Sequence, residues 1–463
     1  MAIRKQNKTI YKRKRRNYLY MLMMIGAWII SQTTNAQTGS VNIKQAIDIA
    51  LGNNYGLWAD SLNVTVTRYQ NKQLSGSYLP QASFNSKINY NMAIPSQMLP
   101  GAVAGQPSKD YIPVQFGTKY DATTGIQVTQ NIYRKDLLLQ IRAEDLNSSI
   151  AQTKYKLTKE DLIYKVAAAF YNLESSAENI RTTTDDYKNL KNVLEIAKQQ
   201  FENGTLKRIE YESLQISVAN KQSLLSQYRT QYDEQLYYFK YLLGIPADAA
   251  VSINDSISLM PELKIAGENS YLQREDIHLA KQLVQSKEVE MKSIRAEGLP
   301  QVSGYFRYNY QSQLSNASKF FDSYYWSNSS TVGLSLSVPI FDGNIRRNRV
   351  HVAQTQLQQL KWQHDYQQQQ AQTELLSAVQ KLNNNREQFN INSQNLVLAE
   401  KVFNSRRSLY TEGVTTLVEL LDAETELTQA RSLYIQSLIN VQTGTLDVHK
   451  ANGTLLTEFL NTL

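Results

Sequence analysis

Residues 79–90 read LPQASFNSKINY, and residues 299–310 read LPQVSGYFRYNY. In the first stretch Ala82, Phe84, Ser86, Ile88, Tyr90 and Met92 alternate with Gln81, Ser83, Asn85, Lys87, Asn89 and Asn91. In the second, Val302, Phe306, Tyr308 and Tyr310 oppose Gln301, Ser303, Arg307 and Asn309. Side chains on a strand point to opposite faces in turn, so this pattern gives each strand one apolar and one polar face. Two later stretches do the same. Tyr120, Ala122, Ile126, Val128 and Ile132 oppose Lys119, Asp121, Thr123, Gln127 and Thr129, while Val332, Leu334, Leu336, Val338 and Ile340 oppose Thr331, Ser335 and Ser337. Strands are therefore predicted at about 79–92, 119–133, 299–311 and 329–341.

A half-buried sheet in a soluble protein alternates in the same way. Four strands of this length in an exported chain, with tyrosines towards their ends, favour a transmembrane barrel instead. Four strands cannot close a barrel, because the smallest have about eight. An open sheet in hydrocarbon leaves its edge amides unpaired at a cost of several kcal/mol each. The strands must come from more than one copy: eight from two chains or twelve from three. Pairing of the edges requires an oligomer but is met by either number.

Export is read from the first residues. Arg4, Lys5, Lys8, Lys12, Arg13, Lys14, Arg15 and Arg16 precede the apolar YLYMLMMIGAWII and then SQTTNA, with no acid before Asp48. This is the pattern of a signal peptide occupying 1–36, with small residues at the cleavage site. Those eight cations equal the net charge of +8, so the remainder is neutral and the basic balance is no sign of nucleic-acid binding. There is no cysteine, hence no disulfide, no thiolate and no lipid-bearing cysteine. Past the leader no stretch reaches the roughly 20 apolar residues of a membrane helix.

The pairing of like segments continues along the chain. GIQVTQNIYRKDL from Gly125 parallels GLSLSVPIFDGNI from Gly333, and FENGTLKRIEYESLQ from Phe201 parallels YTEGVTTLVELLDAE from Tyr410. The chain divides into repeat 1 (37–245), a linker (246–272) and repeat 2 (273–463). Each repeat runs helix, strand, strand, long helix, turn, helix. The leading helices are expected near 43–77 and 274–297. The long helices, near 135–201 and 345–410, would each be about 100 Å long, and helices of that length need partners throughout. The segment between Tyr90 and Tyr120, rich in proline and glycine, reads as an excursion without regular structure.

A glycine inside a helix costs about 1 kcal/mol relative to alanine. Gly204 and Gly413 therefore read as stops, each ending a long helix at a turn. Thr205, or Thr415 and Thr416, would cap the helix that follows. Past the second turn Glu419, Asp422 and Glu426 share one face, with Leu417, Leu420, Leu421 and Leu427 on a neighbouring face. By spacing alone a solvated acidic face explains the carboxylates. His278, His351, His364 and His449 are scattered, with no HExxH, and no glycine-rich phosphate loop follows a strand. No acid, base and nucleophile converge, which argues against an enzyme; no cofactor or metal site is expected.

Taken together, the LPQ motifs, VPIFDGNIRRN, EGVTTLVELLDAETELTQAR and YLLGIP, in this order and duplicated, resemble the TolC-like outer membrane efflux proteins over nearly the whole chain after the leader. The resemblance implies a mixed α and β fold with an internal repeat. Four strands per chain would make a trimeric twelve-stranded transmembrane β-barrel in outer-membrane lipid, continuous with a long periplasmic α-helical barrel and a belt from the linker. It implies a homotrimer that works with a periplasmic adaptor protein and an inner-membrane transporter, in efflux or in one-step secretion of polypeptides. By the same resemblance Glu419 and Asp422 would form acidic rings at a constriction near the periplasmic tip. Gly204, Thr205, Gly413 and Val414 would form the helix-tip turns that meet the adaptor, and Pro339 and Gly343 the strand-to-helix junction. The first copy, VTQNIYR, lacks that proline, and Thr415 stands where relatives carry a basic gate residue. A periplasmic scaffold without a channel is the structural alternative, and the four alternating segments argue against it. Mass spectrometry of the protein recovered from cell envelopes is expected to find a new N-terminus at or close to Gln37; an intact leader would indicate an uncleaved anchor.

Overall fold

The computed structural model describes residues 40–253 and 270–460. The leader and residues 254–269 of the linker lie outside the described residues. In chain order the elements are β1 (Ser40–Val41), α1 (Ile43–Asn53), α2 (Tyr55–Gly76), β2 (Gln81–Tyr90), β3 (Ser96–Pro100), β4 (Tyr111–Gln115) and β5 (Tyr120–Tyr133). Then come α3 (Lys135–Glu202), α4 (Arg208–Leu243), β6 (Ser252–Ile253), α5 (Glu275–Ala296), β7 (Gln301–Leu314), β8 (Trp326–Ser337), α6 (Ile345–Thr411), α7 (Leu417–Asn452) and α8 (Leu455–Leu460). The two long helices fall within a residue of their expected ends, with 68 residues in α3 and 67 in α6.

The described chain divides into two units, one from 40–53, 165–253 and 394–439, the other from 54–164, 270–393 and 440–460. The second unit holds the main sheet, antiparallel throughout in the order β2-β5-β7-β8. Its register keeps the apolar face continuous across all four strands. Phe84 lies opposite Ile126, Ile126 opposite Tyr308, Val128 opposite Phe306 and Phe306 opposite Val332. A one-residue slip would turn any of these strands over. Val332 and Leu334 are 82% and 73% exposed, so most of the apolar face has no cover within the chain, although Ala122 and Leu314 at one end of it are buried. The opposite face carries Asn85, Lys87, Thr123, Gln127, Arg307 and Thr331. β2 and β8 are the outer strands, and each has one side without a neighbour.

Three expectations are corrected. The stretch from Tyr90 to Tyr120 is not irregular: β3 and β4 pair as an antiparallel ribbon, Met98 opposite Pro113. A two-stranded ribbon has a free edge on each strand, so the missing N–H of Pro113 is tolerated where it faces away from the partner. The single leading helix of 43–77 is two helices. Asn54 takes extended backbone and its side chain accepts the Leu57 N–H at 3.1 Å, capping α2. The last strand is β8, which starts earlier than expected, at Trp326, and ends at Ser337. Pro339 cannot donate to a ladder, and it lies with Gly343 (φ 64°) and Asn344 (φ 63°) in the connection to α6. The junction between β5 and α3 is the single residue Arg134 and needs no such device.

In the first unit α3, α4, α6 and α7 share one apolar core. Leu190, Val193, Ala197, Leu214, Val218, Phe403, Tyr410, Leu417, Leu420, Ala423 and Leu427 are all buried in it. Further along the same unit Phe170 of α3 meets Phe239 of α4 at 6.1 Å between ring centroids. β1 and β6 pair in parallel there, Val41 opposite Ile253.

The exposed apolar face of the sheet makes a directional prediction. Lysine on a lipid-facing position of a barrel costs about 2–4 kcal/mol near the membrane midplane, and little on the other face. Phe84→Lys is expected to reduce folded, heat-resistant protein in outer-membrane fractions severalfold, and Asn85→Lys to leave it near the parent level. Equal effects would contradict the assignment of faces.

Candidate functional site

The two turns that the sequence marks with glycine are built alike. Gly204 and Gly413 both have φ 73°, the left-handed backbone that glycine adopts without a side-chain clash. At the first turn Gly204 N–H donates to Phe201 O at 2.9 Å and Thr205 N–H to Gln200 O at 2.8 Å. At the second, Gly413 N–H donates to Tyr410 O at 3.0 Å and Val414 N–H to Leu409 O at 2.8 Å. Both are Schellman endings, which satisfy the last carbonyls of α3 and α6. The β-branched run Val414, Thr415 and Thr416 lies between helices, where its poor helix propensity costs nothing. Val414 is 69% exposed at the apex.

The caps differ between copies. Thr416 accepts the Glu419 N–H at 3.3 Å and caps α7 as expected. Thr205 does not cap α4, which begins three residues later behind Lys207 with no side-chain cap bond. Its hydroxyl donates instead to Gln200 O at 2.8 Å, adding to the close of α3.

Leu417, Leu420 and Leu427 are buried and Leu421 is half-buried against them, while Glu419, Asp422 and Glu426 are exposed. The two carboxylates singled out by the resemblance are not equivalent. Glu419 Oε2 takes Arg406 Nη1 at 2.8 Å and the Thr415 hydroxyl. Asp422 has no ion-pair partner among the described residues. Arg406 reaches Glu419 from the helix before the turn. Its neighbour Arg407 donates to Asn189 of α3 at 3.4 Å.

Deeper in the four-helix core lies a cluster of charges. Lys221 Nζ is 2.6 Å from Glu424 Oε1, 3.9 Å from Asp186 Oδ2 and 2.9 Å from Thr428 Oγ1. Arg431 pairs with Asp186 and, at 3.2 Å, with Glu400. The side chains of Lys221 and Asp186 are each 8% exposed. One charged residue from each of α3, α4 and α6 and two from α7 are joined in this way, with Thr428 of α7 as a further hydrogen-bond partner. Burial pushes the Asp186 carboxyl up, against the pull of Arg431 and Lys221. Sequence reasoning missed the cluster, although a signal was present. Leu214, Val218, Lys221 and Leu225 follow the 4-3-4 spacing of a buried helical seam, and a lysine at such a position needs partners. Asp186 lies 18 residues before Gly204 and Lys221 17 after it, so an antiparallel turn at Gly204 brings them level.

A profile of the outer membrane efflux protein family matches residues 46–244 and 268–454, one segment for each repeat. The chain therefore belongs to the outer membrane efflux protein family, whose members are outer-membrane channels of tripartite export systems and not enzymes. No curated protein matches the sequence. Among solved structures, the chain is similar in fold to the outer membrane protein VceC of Vibrio cholerae, at 16% identity over 89% of this chain and 96% of that one, with a TM-score of 0.73. It is similar to the CmeC outer membrane channel of Campylobacter jejuni, at 16% identity over 89% and 85% of the two chains and a TM-score of 0.75. The MtrE outer membrane channel of Neisseria gonorrhoeae, in an open state, gives 17% identity over 89% of each chain and a TM-score of 0.69.

Removing one member of a buried ion cluster leaves an uncompensated charge and costs about 3–5 kcal/mol. Lys221→Met is expected to destabilise the protein by that order, read from denaturant unfolding followed by helix circular dichroism. The effect depends on pH. A carboxyl whose folded pKa is raised contributes stability at low pH and loses it as pH rises through that raised value. Without Lys221 the Asp186 carboxyl rises further, so acidification should narrow the gap between variant and parent. A gap independent of pH would contradict the assignment.

Proposed function

We propose that three copies of this chain close their four-stranded sheets into one twelve-stranded barrel and form a passive duct for export, gated at the helix turns. The observation that carries this reading is the sheet itself, with a largely exposed apolar face and an unpaired edge on each of β2 and β8. Alternation of β2 upward and β8 downward makes the seam between neighbouring copies antiparallel, like every pairing within the chain. The polar face then lines an aqueous lumen and the apolar face meets lipid. Residues 1–36 serve as the signal peptide and are removed on export.

Within this reading the turns at Gly204, Thr205, Gly413 and Val414 form the periplasmic end and contact the adaptor. Glu419 and Asp422 from three chains ring the constriction, where crowded like charges repel one another and hold cations. Arg406 offsets the charge of Glu419, so Asp422 carries the larger share of the free negative charge. An adaptor that separates these rings opens the duct, and the inner-membrane transporter supplies energy and substrate choice.

Single-channel recording in planar bilayers tests this function. The parent is expected to give a small, cation-selective conductance blocked by divalent cations. In the Glu419→Ala, Asp422→Ala variant conductance should rise severalfold and both the selectivity and the block should disappear. Arg406→Gln, which leaves Glu419 uncompensated, should tighten divalent block. A correctly inserted oligomer that never conducts, even without the tip carboxylates, would refute the duct.

A further inference from the structure

Charge is scarce on the polar face of the sheet. Among residues of β2, β5, β7 and β8 the only side chains charged at neutral pH are Lys87, Asp121 and Arg307. Asp121 is occupied, since the side-chain amides of Asn89 and Asn91 donate to it at 2.5 and 2.7 Å. Lys87 and Arg307 have no ion-pair partner among the described residues, and both are exposed on the polar face. Two cations and one acid leave this face with a net charge of +1 per chain.

Arg307 is held in place. Tyr305 lies opposite Gly333 in the register, and a Cβ at Gly333 would fall 2.6 Å from Tyr305 Cζ. The tyrosine ring thus lies across the neighbouring strand in space that any other residue would fill. The Arg307 guanidinium sits over that ring, 5.1 Å from its centroid. Asn309, the next residue on this face, lies in the same way over Gly125. A guanidinium stacked on an aromatic ring keeps its plane and its fork of donors ready, and that fork matches a carboxylate or phosphate. Its direct neighbours are the uncharged Gln127 and Thr331. Lys87 shares a row with Thr123 and Gln311, four residues along from Arg307, or about 13 Å at strand rise.

We propose that Arg307, with Lys87 further along the strands, is an oxyanion-binding station in the barrel lumen. It would make the outer part of the duct take permeants that carry carboxylate or phosphate groups, in contrast to the acidic tip. The proposal rests on the duct reading above. Three chains would place two rings of three cations on strands whose only other charged side chain is Asp121, which Asn89 and Asn91 hold. A permeant bearing several negative charges would exchange between the rings on its way out.

The test uses the full chain in planar bilayers in the Glu419→Ala, Asp422→Ala background, so that the tip does not dominate the current. Citrate and inorganic pyrophosphate are added on the side of the barrel mouth. Both, or one of them, should block, and the one that blocks more tightly identifies carboxylate or phosphate as the preferred group. Arg307→Gln should raise the half-blocking concentration at least ~5-fold, and Arg307→Lys should restore only part of the loss, because it returns the charge without the fork. Lys87→Gln should raise it roughly twofold or more, which carries the test if Arg307→Gln fails to assemble. Conductance without block by either anion, or block unchanged in both glutamine variants, overturns this proposal alone. Absence of conductance from the inserted parent and background variant overturns the duct reading and this proposal with it.

Discussion

The constraint on which the structure depends is the unpaired backbone along the outer sides of β2 and β8. A sheet edge in water is tolerable, because solvent satisfies its amides and carbonyls. This sheet presents a continuous row of Ala82, Val128, Phe306 and Val332, with Phe84, Ile126 and Tyr308 beside it, on one face. Apolar surroundings favour that face but leave the edges without partners. Only strand addition resolves both demands. The polar face, lined with amides and hydroxyls, then turns inward by the same parity that turns the apolar face outward.

The helices answer a second constraint. α3 and α6 draw their stability from packing along an apolar seam, which α4 and α7 supply by returning along them from Schellman turns. The apolar seam among the four is interrupted by Lys221, Asp186, Glu400, Glu424 and Arg431. Such a cluster adds little net stability over apolar packing, and breaking it is costly. It fixes which residues stand level across the four helices, and so which residues share a height beside the turns. At the turns themselves the arrangement is looser. The Arg406–Glu419 pair is about half exposed on each side and is worth little on its own. Under the proposed gating, a seam fixed in register and an end held by weak pairs let the turns separate while the four-helix core stays intact.

Much of this was legible in the sequence. Period-two alternation places every strand of the main sheet, because one face of each is apolar and the other polar. The stops at Gly204 and Gly413 are legible because glycine alone takes the left-handed ending at low cost, and because the turn occurs twice. The β3–β4 ribbon was hidden by Pro100 and Pro113, residues that a two-stranded ribbon accepts and a central strand does not. The break at Asn54 was hidden because a single capping asparagine in GNNYG outweighs the helix pattern on both sides. Thr205 was misjudged because the same hydroxyl can close one helix or open the next. The partners of Glu419 and Lys221 depend on which residues the turns bring level, which composition does not give. Arg307 was visible as a polar-face residue, but its fixed posture depends on Gly333 in the neighbouring strand.

The most direct test of the account joins the two open edges covalently, and a chain without cysteine suits it well. Cysteine replaces Ser83 on β2 and, in separate variants, Thr331, Ser335 or Ser337 on β8. Oxidation in intact outer membranes is followed by denaturing electrophoresis without reductant. At least one pairing is predicted to give a covalent species of three chains, returned to single chains by reductant. A ladder ending at two chains would indicate an eight-stranded closure, and single chains from every pairing would contradict closure through these edges.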